Sequence, residues 1–201
     1  MDELQTGDLL LFNNHSGGIF GFFTNMIKWG THSNYTHVAM VLRDPTFIHP
    51  SLKGLYVWES TFNGHPDPQD GQIKLGVQIT PLLECLNFED RTVYVRKLSC
   101  PKEKLSNEIL SKIHDVVYNK PYDVIPTDWI QAFFQCDSHP QKIDRFWCSA
   151  LVGYIYTQLG ILKDDTDWSI LRPVDFSLSG ESVKFNSNCS LENFEKILYK
   201  T

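Results

Sequence analysis

The 201-residue chain has no cluster of lysine and arginine. Its 18 basic residues are scattered among 24 acidic ones, for a net charge of −6. The positive stripe that a nucleic-acid binder needs is therefore missing, which excludes DNA or RNA as the main partner. There is also no hydrophobic run near the ~20 residues that cross a bilayer. The acidic opening Met1-Asp2-Glu3 and the short run Leu9 to Phe12 make no signal peptide. A cytoplasmic protein is expected on these grounds. The five cysteines, Cys85, Cys100, Cys136, Cys148 and Cys189, are odd in number and scattered, with no Cys-x-x-Cys pair. Reduced thiols are the expectation. Cys136, His139 and Cys148 could be recruited as zinc ligands only with a fourth partner, so neither a metal nor a cofactor is expected. No repeat, low-complexity tract or linker divides the chain, and a single domain over residues 1–201 follows.

What is present is enough for a core. Hydrophobic residues make up 42% of the chain and charged residues 21%, a globular balance. Apolar runs predict strands at Leu9 to Phe12, Thr36 to Leu42, Tyr56 to Ser60, Gln72 to Ile79 and Thr92 to Leu98. Thr80-Pro81 opens a short helical turn. Between the strands, Asn63 to Gly71 is rich in turn residues and, on composition, is a candidate mobile lid. Helical spacing appears in Ser16 to Trp29, which is apolar over more than one stripe, in Leu105 to Tyr118, and in the short aromatic stretch Asp128 to Phe134. A further helix begins near Cys148. Leu151, Val152, Ile155 and Leu159 face its core, Asp144 is its expected N-cap and Gly160 its C-cap. Arg172 to Phe176 is extended or a turn. The tail from Ser190 is spaced for a helix, with a final strand as the close alternative. Strands first and helices later is an α+β order.

Three residues carry candidate chemistry. Cys148 lies at the mouth of its helix, where unpaired N–H groups favour a thiolate. His37 lies on the strand Thr36 to Leu42, sharing a face with Ala39 and Val41. Glu59 shares a face with Val57 on the next strand. A cysteine nucleophile needs a base, and the base needs a third group that fixes its tautomer. Two strands can hold imidazole and carboxylate on one face while a helix packed against that face aims the thiol at them. Read singly, Cys148 is as well a small buried hydrophobe, His37 a satisfied core histidine and Glu59 a solvated strand residue.

The motifs in order are more specific. Gly7-Asp8-Leu9-Leu10-Leu11-Phe12, Thr36-His37-Val38-Ala39-Met40-Val41 with Glu59 a hairpin later, Lys120-Pro121-Tyr122-Asp123, and Phe146-Trp147-Cys148-Ser149-Ala150-Leu151-Val152 together resemble the circularly permuted branch of the NlpC-type papain-like superfamily. That branch includes bacterial lipoprotein-like and poxvirus members. Arg172 to Phe176 resembles the segment after the family's cysteine helix. The order His, Glu, Cys is the permuted one. The resemblance implies a permuted papain-like fold: an antiparallel sheet or partial barrel packed against a helix with the cysteine at its N-terminus. It implies Cys148 as nucleophile, His37 as general base and then acid, Glu59 as the orienting residue, and Tyr122 as support for the pocket or the oxyanion. Ala150 departs from the pattern, standing where the family often has an acid, and Ile125 to Arg145 is long.

The expected function is a cysteine-dependent hydrolase or acyltransferase acting on an amide, ester or acyl-lipid bond through a thioester. The substrate would be a small molecule, a peptide or an acyl lipid. The aromatic segment Ile19 to Trp29 tilts the expectation toward acyl substrates and peripheral membrane contact. The rival is a non-catalytic lipid- or peptide-binding module on the same fold.

Overall fold

A computed structural model describes residues 3–14, 34–87, 91–123, 143–180 and 182–200. Its centre is a six-stranded antiparallel sheet built from β1 (Leu9–Asn14), β2 (His37–Arg43), β3 (Leu55–Thr61), β4 (Gly76–Pro81), β5 (Arg91–Arg96) and β8 (Lys196–Lys200), in the order β4-β3-β2-β1-β5-β8. The described helices are α1 (Leu82–Leu86), α2 (Asn107–Val117) and α3 (Cys148–Gln158). Short strands β6 (Leu98–Ser99) and β7 (Ser190–Leu191) pair with each other. The architecture is α+β, as expected. Among the described residues no helix is long and apolar enough to cross a membrane.

The unbroken apolar runs of β1 and β2 have a physical cause: the sheet is covered on both faces. Leu9, Leu11, Val38, Met40, Leu42, Trp58, Val77 and Ile79 pack against α2 and α3. Leu10, Phe12, Ala39, Val41, Val57, Val93 and Val95 pack against Leu4 and α1. Helix α3 is buried along most of its length, from Cys148 to Tyr156. Its outer side is closed by the segment 168–171, which comes so near that a Cβ on Gly153 would lie 2.8 Å from the Leu171 side chain. Ser149 Oγ and Trp147 Nε1 both donate to the Leu171 carbonyl, at 2.6 and 3.3 Å.

Several boundaries differ from expectation. The fourth strand begins at Gly76 rather than Gln72 and runs on to Pro81, which caps α1 instead of opening it. The tail forms strand β8, not a helix, because β5 offers an open edge; the pairing passes a bulge at Val93/Tyr94. Trp147, not Asp144, is the N-cap of α3, and Asp144 pairs with Arg145 instead. Gly160 follows the C-cap Leu159 at φ +62°, as expected. The segments Ser16 to Trp29 and Asp128 to Phe134 lie outside the described residues.

Two further expectations are corrected. Cys100 and Cys189 are joined by a disulfide, with Cα atoms 4.4 Å apart. They extend the β6–β7 register by one pair, a proximity invisible across 89 residues of sequence. The cytoplasmic expectation drew on unpaired thiols, and that support falls away. The loop Asn63 to Gly71 is tied down rather than loose. Asp67 is buried and accepts from Lys74 Nζ at 2.9 Å and Gln69 Nε2 at 2.6 Å, Tyr118 donates to Asp70 at 2.8 Å, and His114 meets Gln69 at 2.8 Å. Burying Asp67 with its lysine outweighs the turn residues' freedom.

Gly76 holds the strap that carries Tyr122. Its φ is +151°, and a Cβ there would fall 2.3 Å from the Lys120 carbonyl oxygen. That oxygen accepts from Val77 N–H at 2.9 Å, while Tyr122 N–H donates to the Leu75 carbonyl at 3.1 Å. Gly76→Ala is expected to destabilise the fold by about 2–3 kcal/mol. The urea midpoint measures it; an unchanged midpoint contradicts the steric argument.

Candidate active site

The sheet opens at one end, and the opening creates the site. Strands β2 and β3 are paired from Met40↔Trp58 to Arg43↔Leu55. Continued, that register would set Ala39 opposite Glu59 and His37 opposite Thr61. Instead Glu59, Ser60 and Thr61 pair only with β4. The Ser60 hydroxyl instead donates to the Phe146 carbonyl at 2.6 Å. Val41 N–H points to β1, donating to the Asp8 carbonyl at 2.7 Å. By alternation the Val38 N–H points the other way, toward the side that β3 has left. There it is among the groups that favour the charged form of Cys148.

His37 is the first residue of β2, and its ring packs on Phe12 with centroids 5.1 Å apart. The start of this strand is pinned by Thr36, whose N–H and hydroxyl both reach the Phe12 carbonyl. His37 Nε2 lies 2.7 Å from Glu59 Oε2, the two side chains being 15% and 4% exposed. His37 also lies beside Cys148, each favouring the charged form of the other. With Nε2 engaged by the carboxylate, Nδ1 is the nitrogen left for sulfur. The structure thus brings Cys148, His37 and Glu59 together, although they are distant in sequence.

The convergence differs in one respect from the expected layout. His37 and Glu59 do share a face, but it is the face of Ala39, Val41 and Val57, whereas the body of α3 packs on the other. The thiol reaches the imidazole through the opening between β2 and β3. A helix lying on the same face would bury both polar groups beneath its apolar side.

Charges in the site are strongly coupled. Burial opposes the imidazolium of His37, yet the charge and hydrogen bond of Cys148, followed by those of Glu59, raise its pKa to about 9. Burial likewise opposes ionisation of Cys148, but the charge and hydrogen bond of His37 and the N–H groups of Val38 and Ser149 lower its pKa below the ordinary thiol value. Trp147 places no capping side chain on the first turn of α3, which leaves N–H groups there open to an anion. Each of the two groups thus favours the charged form of the other.

Cys85 marks the contrast. Burial, then the nearby charge of Glu59, pushes its thiol well above the ordinary range. Tyr122 sits beside the site, bridged to Phe146, and burial followed by the charge of Cys148 keeps its phenol protonated. Among the described residues no group of His, Cys, Asp and Glu converges as a metal site; Cys136 and His139 lie outside them.

Sequence reasoning missed Thr80 and Asn63. Thr80 is buried on β4 and donates to Glu59 Oε1 at 2.6 Å. Asn63 Nδ2 donates to Thr80 Oγ1 at 2.9 Å. Only the β3–β4 register, with Glu59 opposite Gln78, reveals that Thr80 reaches the carboxylate. The polar alternation of Gln78 and Thr80 in an otherwise apolar strand was the one available signal. Compared with known proteins, the chain matches no family model and no curated protein.

Proposed function

We propose that the chain is a cysteine-dependent hydrolase or acyltransferase with a permuted papain-like fold, acting on an amide, ester or acyl-lipid carbonyl. The observation that carries this reading is the chain of contacts from Cys148 through His37 to Glu59, with the thiol's pKa lowered and the imidazole's raised. A thiolate held against an imidazolium is a poised nucleophile beside its own proton donor. Among the described residues nothing favours the binding-module reading, which requires no such polarisation; Ile19 to Trp29, the segment behind it, lies outside them.

In the proposed reaction the Cys148 sulfur attacks the acyl carbon. Negative charge develops on the carbonyl oxygen, where the Cys148 backbone N–H at the mouth of α3 can receive it; losing such a donor costs ~3–4 kcal/mol. His37 Nδ1 gives its proton to the departing amine or alcohol, leaving a thioester on Cys148. Water, or an acceptor hydroxyl or amine, then loses a proton to His37 as it attacks the thioester, and the thiolate leaves. Glu59 keeps Nε2 protonated throughout. Tyr122, uncharged beside the sulfur, borders the acyl position.

The test uses an activated acyl ester such as p-nitrophenyl acetate. Intact-protein mass spectrometry is expected to find one acetyl group, mapped to Cys148, and absent from Cys148→Ala. Release of p-nitrophenol should rise through a limb below the ordinary thiol range as the pair forms. It should fall near pH 9 as His37 loses its proton. Acylation spread over several residues, or lipid binding indifferent to Cys148→Ala, favours the binding module instead.

A further inference from the structure

We infer that Asn63 and Thr80 form a directional hydrogen-bond relay that holds the Glu59 carboxylate toward His37, so that both act as positioning residues for the proposed triad. The inference rests on the triad reading and extends it to two residues outside it. Glu59 has two carboxylate oxygens with separate duties. Oε2 meets His37 Nε2 at 2.7 Å and Oε1 receives the Thr80 hydroxyl at 2.6 Å. Gln78 stands directly across the ladder from Glu59 but is turned away, its Nε2 donating to the Thr61 carbonyl at 3.1 Å. Thr80 is therefore the anchor of the second oxygen.

The direction of the relay is set at its far end. A threonine hydroxyl has one proton and can point it either way. Asn63 removes the choice. Its Oδ1 accepts the His65 N–H at 2.8 Å, so its Nδ2 faces Thr80 and donates to the hydroxyl oxygen at 2.9 Å. With a donor on that side, the hydroxyl must give its proton to Glu59. Asn63 opens the loop that Lys74 braces through Asp67 and Asp70 and that Gln69 ties to His114 of α2, so its amide is presented from an anchored frame. A carboxylate held at both oxygens cannot rotate away from the imidazole, and its charge is hydrogen-bonded despite burial.

The substitution Asn63→Asp tests the polarity. The introduced carboxylate would still accept from His65, but its other oxygen would accept where Nδ2 donated. The Thr80 proton would turn toward it and leave Glu59 without a donor beside a new negative charge. Asn63→Ala removes the donor yet leaves Thr80 free to keep its bond to Glu59. The measured quantity is the rate of iodoacetamide alkylation of Cys148 against pH, followed by peptide mass spectrometry, with ester turnover alongside.

Thr80→Val is expected to move the acid limb of the alkylation profile up by about one pH unit, because a Glu59 carboxylate freed at Oε1 turns from His37 and supports the imidazolium beside Cys148 less. It should lower turnover about 10–100-fold, and Thr80→Ser should recover most of both losses. Asn63→Asp should shift the acid limb at least as far as Thr80→Val, and Asn63→Ala clearly less. Equal profiles for Asn63→Asp and Asn63→Ala, or an unmoved acid limb in Thr80→Val, overturn the relay while leaving the triad standing. Should Thr80→Val fail to fold, the Asn63 pair decides alone. Wild-type Cys148 alkylating like an ordinary thiol, at a rate that His37→Ala does not change, defeats the triad reading and the relay with it.

Discussion

His37→Ala is expected to slow alkylation of Cys148 at pH 6 by on the order of 100-fold. An unpaired thiol of ordinary pKa, about 8.5, is only about 0.3% ionised at that pH. Burial pushes the lone thiol further the wrong way, since burial is the largest influence on Cys148 and opposes its charge. In the intact site the His37 charge overcomes that cost. The deficit should narrow above pH 9, where the wild-type imidazole itself loses its proton. Ester turnover loses more than alkylation, on the order of 10⁴–10⁶-fold, because the leaving group has no acid and the attacking water no base. Peptide-resolved alkylation separates Cys148 from Cys85, whose thiol stays protonated and serves as the unreactive internal standard. Equal rates for wild type and His37→Ala at every pH would end the case for an ion pair.

The second large effect is expected from Glu59→Gln, which changes almost no volume. The Thr80 hydroxyl donates to one oxygen of Glu59. In the variant it selects the carboxamide oxygen, which leaves the –NH₂ group facing His37 Nε2. That nitrogen must then accept rather than donate, and the imidazole proton moves to Nδ1. A ring protonated on the side of the sulfur cannot take the thiol proton. Turnover should fall by on the order of 10⁴-fold, the cost of a wrong tautomer in a triad. KM should change little, and so should the melting temperature, because both hydrogen bonds survive and only the one to His37 reverses its polarity. A turnover loss below tenfold would mean that Glu59 does not orient His37. A large drop in melting temperature would assign it a structural role instead.

Much of the frame could be read in advance because it depends on local patterns. The alternation in Thr36 to Leu42 put His37 with Ala39 and Val41, and the buried clusters keep that division. Leu151, Val152 and Ile155 face the core as their spacing required, and Gly160 ends α3 in the left-handed conformation. What escaped reading depends on contacts between distant segments. Strand β8 forms on the open edge of β5, a partner that the tail's own spacing does not announce. Cys100 meets Cys189 only after β6 and β7 are aligned. Thr80 finds Glu59 through a register that no spacing encodes. The loop after Asn63 has the composition of a mobile segment, yet its buried Asp67–Lys74 pair makes it an anchor. Of the site itself, residue types and order were legible, whereas the passage of the thiol between two strands was not.

That passage sets stability and chemistry in competition for one backbone group. Two more rungs between β2 and β3 would enlarge the sheet and give the Val38 amide a carbonyl partner, a gain by any count of ladder bonds. They would also seal the slot that admits sulfur. Substitutions that favour hairpin zippering beyond Met40 and Trp58 should therefore make the molecule harder to unfold and chemically silent. On the proposed function, the unzipped end is a cost in cohesion retained for reactivity.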